Sequence, residues 1–142
     1  DDILRQGVQG ISDIITIPRA FNLGNVLREL NRPREAALWF QLALARDRTF
    51  AAAWYNLAHL AEAAGDLDMA RDRLERATAC DPTFADAAFN LARMHYAAGA
   101  YDRAATAWQH YLDLDHDSEW ARKARHGIAL CRQHLRVPSS GG

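Results

Sequence analysis

Lysine is almost missing from this chain. Lys123 is the only one in 142 residues, and arginine carries the rest of the positive charge. That bias reads as codon usage, of the kind a GC-rich bacterium shows, and not as a functional sign. Cysteine is scarce too: Cys80 and Cys131 make neither a disulfide framework nor a Cys-rich metal site. They are expected to be small, partly buried thiols in a reducing compartment, which places the chain in the cytoplasm. β-branched residues are sparse, and their one run, Ile11 to Ile17, stops at Pro18. No apolar stretch approaches the roughly 20 residues of a spanning helix, so no membrane partner is expected. No signal peptide is visible. The net charge is only −1, which leaves no strong field to draw the chain to DNA. Enzyme signatures are missing as well: there is no Gly-x-Ser-x-Gly, no phosphate-binding glycine loop and no His-Glu-x-x-His. No catalytic residue and no cofactor are expected.

What the chain does have is alanine, leucine and arginine in abundance, a composition that favours helix throughout. It also repeats. Laid against itself at an offset of 34 residues, the chain brings like onto like: Asn22, Asn56 and Asn90; Leu23, Leu57 and Leu91; Gly24, Ala58 and Ala92; Ala36, Ala70 and Ala104; Phe40, Leu74 and Trp108; Asp47, Asp81 and Asp115. Within the unit, Trp54, Leu57, Ala58 and Ala61 recur at the helical period, Gly65-Asp66 interrupts, and Leu67, Ala70, Leu74 and Ala77 form a second stripe. Gly99-Ala100 and Asn31-Arg32-Pro33 interrupt the other units, and Pro33 suits the opening of a second helix. Asp81-Pro82 is expected to end one unit and start the next, with Asp81 as N-cap and Pro82 in the first turn. The small residues at 24/36, 58/70 and 92/104 are expected to face each other across each helix pair, with the large ones filling the space between pairs.

The period and these residues resemble the tetratricopeptide repeat. The second unit carries the motif best, in Trp54, Leu57, Ala58, Gly65, Ala70, Leu74, Ala77 and Pro82. The first unit has Ala20 and Arg48 where an aromatic and a proline are usual. The third has Tyr111 for alanine and His116 for proline. The resemblance implies an all-α, right-handed α-α superhelix of three helix-turn-helix repeats: residues 17–50, 51–84 and 85–118. A capping helix over 119–136 would bury the last repeat, with Trp120, Ala124, Ile128 and Cys131 inward, Arg122, Lys123, Arg125 and Arg132 outward, and Asp117 or Ser118 as its cap. Residues 1–16 match no repeat and are expected to be an N-terminal arm or linker in which Ile11 to Ile17 favours extended backbone; the stretch could equally cap the first repeat, belong to an upstream domain or pack into a groove. Residues 137–142, ending Ser-Ser-Gly-Gly, resemble a linker or tail. The opening at Asp1-Asp2, without methionine, carries the expectation of a piece of a longer chain.

In such arrays the first helix of each pair lines the concave side. The helical phase then puts Phe21, Asn22 and Asn25, next Tyr55, Asn56 and His59, and last Phe89, Asn90, Arg93 and Tyr96 on that face, with Arg28 and Glu62 beside them. Aromatic bodies with polar tips suit a binding surface. A side-chain amide offers a donor and an acceptor together, so Asn22, Asn56 and Asn90 can form a ladder along an extended peptide backbone. They can also bond neighbouring helices. The family's carboxylate clamp for chaperone tails finds its asparagines in Asn25 and Asn56. Its cationic positions are Phe21, Asp86 and Asn90, so chaperone-tail binding is not expected.

The expected function is a protein-protein interaction module that binds a peptide or extended segment in its concave groove. The alternatives are a structural module that self-associates, or the effector-binding part of a larger bacterial regulator. The last rests on Ala107-Trp108, Tyr111-Leu112 and Asp117 to Arg122, which resemble the closing segment of such regions in bacterial multidomain proteins, transcription regulators among them. His110, Asp113, Asp115 and His116 gather near one helix end, where a solvated acidic turn is expected in place of a metal site. Nucleic-acid contact is not expected through this region, since the basic last helix lacks interleaved aromatics.

Overall fold

The computed structural model describes residues 15–136. It contains seven helices: α1 (Ile17–Glu29), α2 (Pro33–Arg46), α3 (Ala51–Ala63), α4 (Leu67–Cys80), α5 (Ala85–Ala97), α6 (Tyr101–Leu114) and α7 (Glu119–Arg136). No strand occurs among the described residues. Pairs α1–α2, α3–α4 and α5–α6 stack in chain order and α7 packs on α6, giving an all-α helical-repeat solenoid.

The extended preference of Ile11 to Ile17 yields at its end. Thr16 is extended (φ −73°, ψ 159°), but its hydroxyl accepts from the Arg19 N–H at 3.4 Å and α1 begins at Ile17, with Pro18 in its first turn. A hydroxyl cap and a proline fitted to the first turn together outweigh β propensity. Residues 1–14 lie outside the described residues.

Each first helix ends in the same Schellman motif. Asn31, Gly65 and Gly99 adopt φ of 59°, 83° and 77°. Their N–H groups donate to Arg28, Glu62 and Tyr96 carbonyls, and the next residue's N–H reaches back to Leu27, Ala61 and His95. Glycine tolerates this left-handed backbone best, and asparagine substitutes for it in the first unit.

The turns between units correct one expectation. Asp81 does not cap α5. It terminates α4 in extended conformation, and α5 starts only at Ala85. The Asp81 carboxylate is taken by Thr83, whose N–H and hydroxyl donate at 3.0 and 2.6 Å. Asp47 binds Thr49 in the same way at 2.9 and 2.6 Å. These are self-contained Asx-type turns, so the acceptor is spent before a helix can use it. At the third boundary Asp115 accepts from the Tyr111 hydroxyl at 2.6 Å and from the Ser118 hydroxyl. Ser118 in turn caps α7 by accepting from the Ala121 N–H at 3.1 Å.

The core runs as a chain of clusters. Ala36, Ala58, Ala70, Ala92 and Ala104 are buried, as are Phe40, Leu74 and Trp108. Gly24 is buried beneath the Phe40 ring. Glycine recurs where α7 meets the third unit: Gly127 lies against the Trp108 ring, an approach not evident in the repeat pattern. The α7 stripe also differs from expectation. Ala121, Ala124, Gly127, Ile128 and Cys131 are buried, but Trp120 is 52% exposed. Its ring meets Phe89 of α5 edge-on at 5.3 Å.

Candidate protein-interaction face

The sequence-derived face is carried by α1, α3 and α5, and its side chains are largely tied to one another. Asn56 is only 7% exposed. Its Nδ2 donates to Asn25 Oδ1 at 2.8 Å, and its Oδ1 accepts from Arg28 Nη1 at 3.5 Å, so α1 and α3 are joined. Asn90 Nδ2 donates to the Tyr55 hydroxyl at 3.0 Å and to the Asp86 carbonyl at 2.9 Å. Arg93 donates to Asn90 Oδ1 through Nε (3.0 Å) and Nη2 (2.8 Å), and it pairs with Glu62 at 3.3 Å, joining α5 to α3. The three repeat-equivalent asparagines are therefore not equivalent in place. Asn22 is exposed, Asn56 is buried in a bridge, and Asn90 is half-buried with both ends of its amide engaged.

The aromatics divide similarly. Phe89 is 8% exposed and belongs to the core, edge-on to Tyr111 at 5.2 Å and Trp120 at 5.3 Å. Phe21 packs on Phe40 and Phe50. Tyr55 lies 4.5 Å from the His59 ring and 4.8 Å from Phe84. Tyr96 hydrogen-bonds His134 of α7 at 3.2 Å. Burial raises the Tyr55 pKa, with the negative charge of Asp86 adding to it, and burial lowers that of His59.

Three contributors escaped the sequence reading. Tyr55, Asp86, Phe89, Asn90, Tyr111 and Trp120 together line a cleft of about 280 Å³. Trp120 was expected in the core, Tyr111 counted only as a departure from the repeat, and Asp86 counted only as an obstacle to an anion. A signal was available: positions 52, 86 and 120 are related by the 34-residue offset, so Asp86 of α5 and Trp120 of α7 stand in register.

Elsewhere, His110, Asp113, Asp115 and His116 do not converge. A His110 ring nitrogen lies 2.7 Å from the Pro82 carbonyl, and Asp115 is occupied by Tyr111 and Ser118. Among the described residues no three metal-ligating side chains come together. Cys80 is half-buried and Cys131 buried, both free thiols. No described helix is long and apolar enough to cross a membrane.

Two sequence profiles match the chain, each described as a tetratricopeptide repeat, one over residues 55–116 and the other over residues 20–52. No curated protein matches significantly. Among solved structures, the first TPR of Spaghetti (RPAP3), bound to the HSP90 peptide SRMEEVD, is similar with a TM-score of 0.74 at 15% identity, over 86% of this chain and 94% of that one. Two crystal structures of MamA are similar with TM-scores of 0.68 and 0.67, each at 22% identity over 84% of this chain, and over 72% and 68% of theirs. The repeated Schellman ends, the stacked helix pairs, the two profiles and the shared fold agree: the chain belongs to the tetratricopeptide repeat family.

Proposed function

We propose that this chain is a protein-interaction module that takes a peptide or extended segment of a partner along the face shared by α1, α3 and α5. The observation that carries the reading is the hydrogen-bonded bridging of these three helices: Asn25–Asn56 and Tyr55–Asn90–Arg93–Glu62 fix a preorganised floor. A fixed surface loses less entropy on binding than a mobile one. Phe21, Asn25, Asn56, His59, Phe89 and Arg93 act by setting that floor. Asn90 belongs to that floor as well, and Asn22, Tyr55 and Tyr96 face the partner. The peptide-bound structural relative supports a peptide as the partner class. It does not bring its own ligand with it. Asp86 stands where a clamp would need a cation, so an acidic chain terminus is disfavoured.

The test is capture of a partner from lysate followed by titration of its bound segment. Variants at the face (Asn22→Ala with Trp120→Ala) are compared with variants on the outer side (Arg103→Ala with Thr106→Ala), all checked for unchanged helicity and melting. Loss of binding in the face variant alone supports the reading, and equal binding by both overturns it. A second reading, a module that stacks on another copy, draws on Leu23 and Val26 of α1 and Leu30 at its C-cap, which are exposed at helical spacing. Mass that rises with concentration, and falls when Val26 and Leu30 become polar, would favour it.

A further inference from the structure

Resting on that reading, we infer that the cleft lined by Tyr55, Phe89, Tyr111 and Trp120, with Asp86 at its rim, takes one cationic side chain of the partner, an arginine or a lysine. The walls are π-systems. Phe89 holds Tyr111 and Trp120 in edge-to-face geometry at 5.2 and 5.3 Å, and Tyr55 is fixed by the hydrogen bond from Asn90. Aromatic faces attract cations through their quadrupole. The Trp120 ring already does so within the molecule, since Lys123 Nζ sits 4.3 Å from its centroid.

The polar groups point the same way. The amide of Asn90 is spent on Tyr55 and the Asp86 carbonyl, and Arg93 is spent on Asn90 and Glu62. Neither is left to greet an anion. Asp86 is exposed, and its carboxylate has no ion pair among the described residues. Its charge reaches the cleft, where it acts on the Tyr55 hydroxyl. The Tyr55 hydroxyl also feels Arg93 and Arg28, but Arg93 is paired with Glu62 and Arg28 donates to Asn56, which leaves Asp86 as the lining carboxylate without an ion pair of its own, beside aromatic faces. Its size fits as well: about 280 Å³ lies just under the roughly 300–1,000 Å³ typical of small-molecule pockets and suits a single long side chain. Lys123 is the built-in competitor, close enough to occupy one face of the indole until a partner's cation arrives.

The probes are short, end-blocked alanine peptides carrying one central arginine, lysine, norleucine or glutamate, titrated against the whole chain. Binding is read from NMR shifts of the Trp120 indole and the Tyr55 ring, with the indole signal assigned through Trp120→Phe. The arginine and lysine peptides are expected to bind about tenfold tighter than the norleucine peptide, and the glutamate peptide weakest. Asp86→Asn, whose side chain bonds no described neighbour, should fold normally and erase that margin. Lys123→Met should strengthen the basic peptides several-fold and weaken none of them. Equal binding of basic and norleucine peptides, or an arginine affinity indifferent to Asp86→Asn, overturns the cationic site. So does silence from all four peptides. The interaction face itself is judged separately, by the face and outer-side variants, and it falls too if the captured partner's own segment leaves the Tyr55 and Trp120 signals unmoved.

Discussion

Gly24 lies against the ring of Phe40 so closely that a Cβ there would stand 2.5 Å from Cε1. Two rings are accommodated this way, because Gly127 gives Trp108 the same room at 2.6 Å. At the repeat position of Gly24 the other units carry Ala58 and Ala92, so the glycine that makes room for Trp108 is supplied by α7. Gly24→Ala is therefore expected to destabilise the fold by about 1–3 kcal/mol through overpacking, in spite of alanine's better helix propensity. Phe40→Leu should cost less in the Gly24→Ala background than in the native one. Thermal or urea melts in a double-mutant cycle would measure the coupling, and simple additivity would show that the close approach is not limiting.

The asparagines separate by role. Asn56→Ala removes a buried amide that serves Asn25 and Arg28, so it is expected to lower stability by about 1–3 kcal/mol. Asn22→Ala, on an exposed side chain, should change stability by no more than about 0.5 kcal/mol. Denaturant midpoints for the two variants decide this. Equal losses would place Asn22 in a structural bridge as well.

His95 is 6% exposed, with Nε2 3.9 Å from Glu75. Burial lowers its pKa. Glu75 and Asp102 oppose that shift, and Arg71 and Arg103 add to it. The folded state thus resists a proton that the unfolded chain accepts near pH 6.5. Stability is complete above that pH and declines as pH falls below it, levelling once the folded pKa is passed. His59 acts with the same sign. His95→Gln should flatten the decline in melting temperature between pH 7 and 5, and an unchanged slope would assign it to His59.

Asp115 works lower on the scale. Hydrogen bonds from Ser118 and Tyr111 hold its carboxyl at about 2. A depressed carboxyl contributes stability that is present above the unfolded value of about 3.9 and is lost as pH falls towards 2. Asp115→Asn should melt lower than the native chain at neutral pH, and the two should converge in acid. Parallel curves down to pH 2 would exclude this turn as the acid-sensitive one.

The repeat and its helices were legible because they rest on local rules. The offset at Asn22, Asn56 and Asn90 gives the period, and Asn31, Gly65 and Gly99 give the breaks. The turn at Asp81 was misread because a carboxylate before a helix suits a cap and an Asx turn equally, and only the distance to Thr83 decides. The face was less legible than the fold. Helical phase groups Asn56 and Phe89 with the exposed Asn22, whereas both are buried, Asn56 in a bridge to α1 and Phe89 in the core. Burial there depends on how deeply the next helix seats, which is a matter between units. Trp120 escaped because the capping-helix stripe groups it with Ala124, Ile128 and Cys131, although the 34-residue offset also sets it in register with Asp86.

The joints between units carry a consequence for how such a chain changes over generations. Asp47-Arg48-Thr49-Phe50 and Asp81-Pro82-Thr83-Phe84 close on themselves through the same aspartate-to-threonine bonds. A gene that skipped from the codon for Asp47 to that for Pro82 would still encode an aspartate followed, two places on, by its threonine and then phenylalanine. Unequal recombination can thus delete or duplicate a unit without inventing a new joint. The number of repeats is then free to drift at the level of the genome, while the chemistry displayed on each repeat is selected separately.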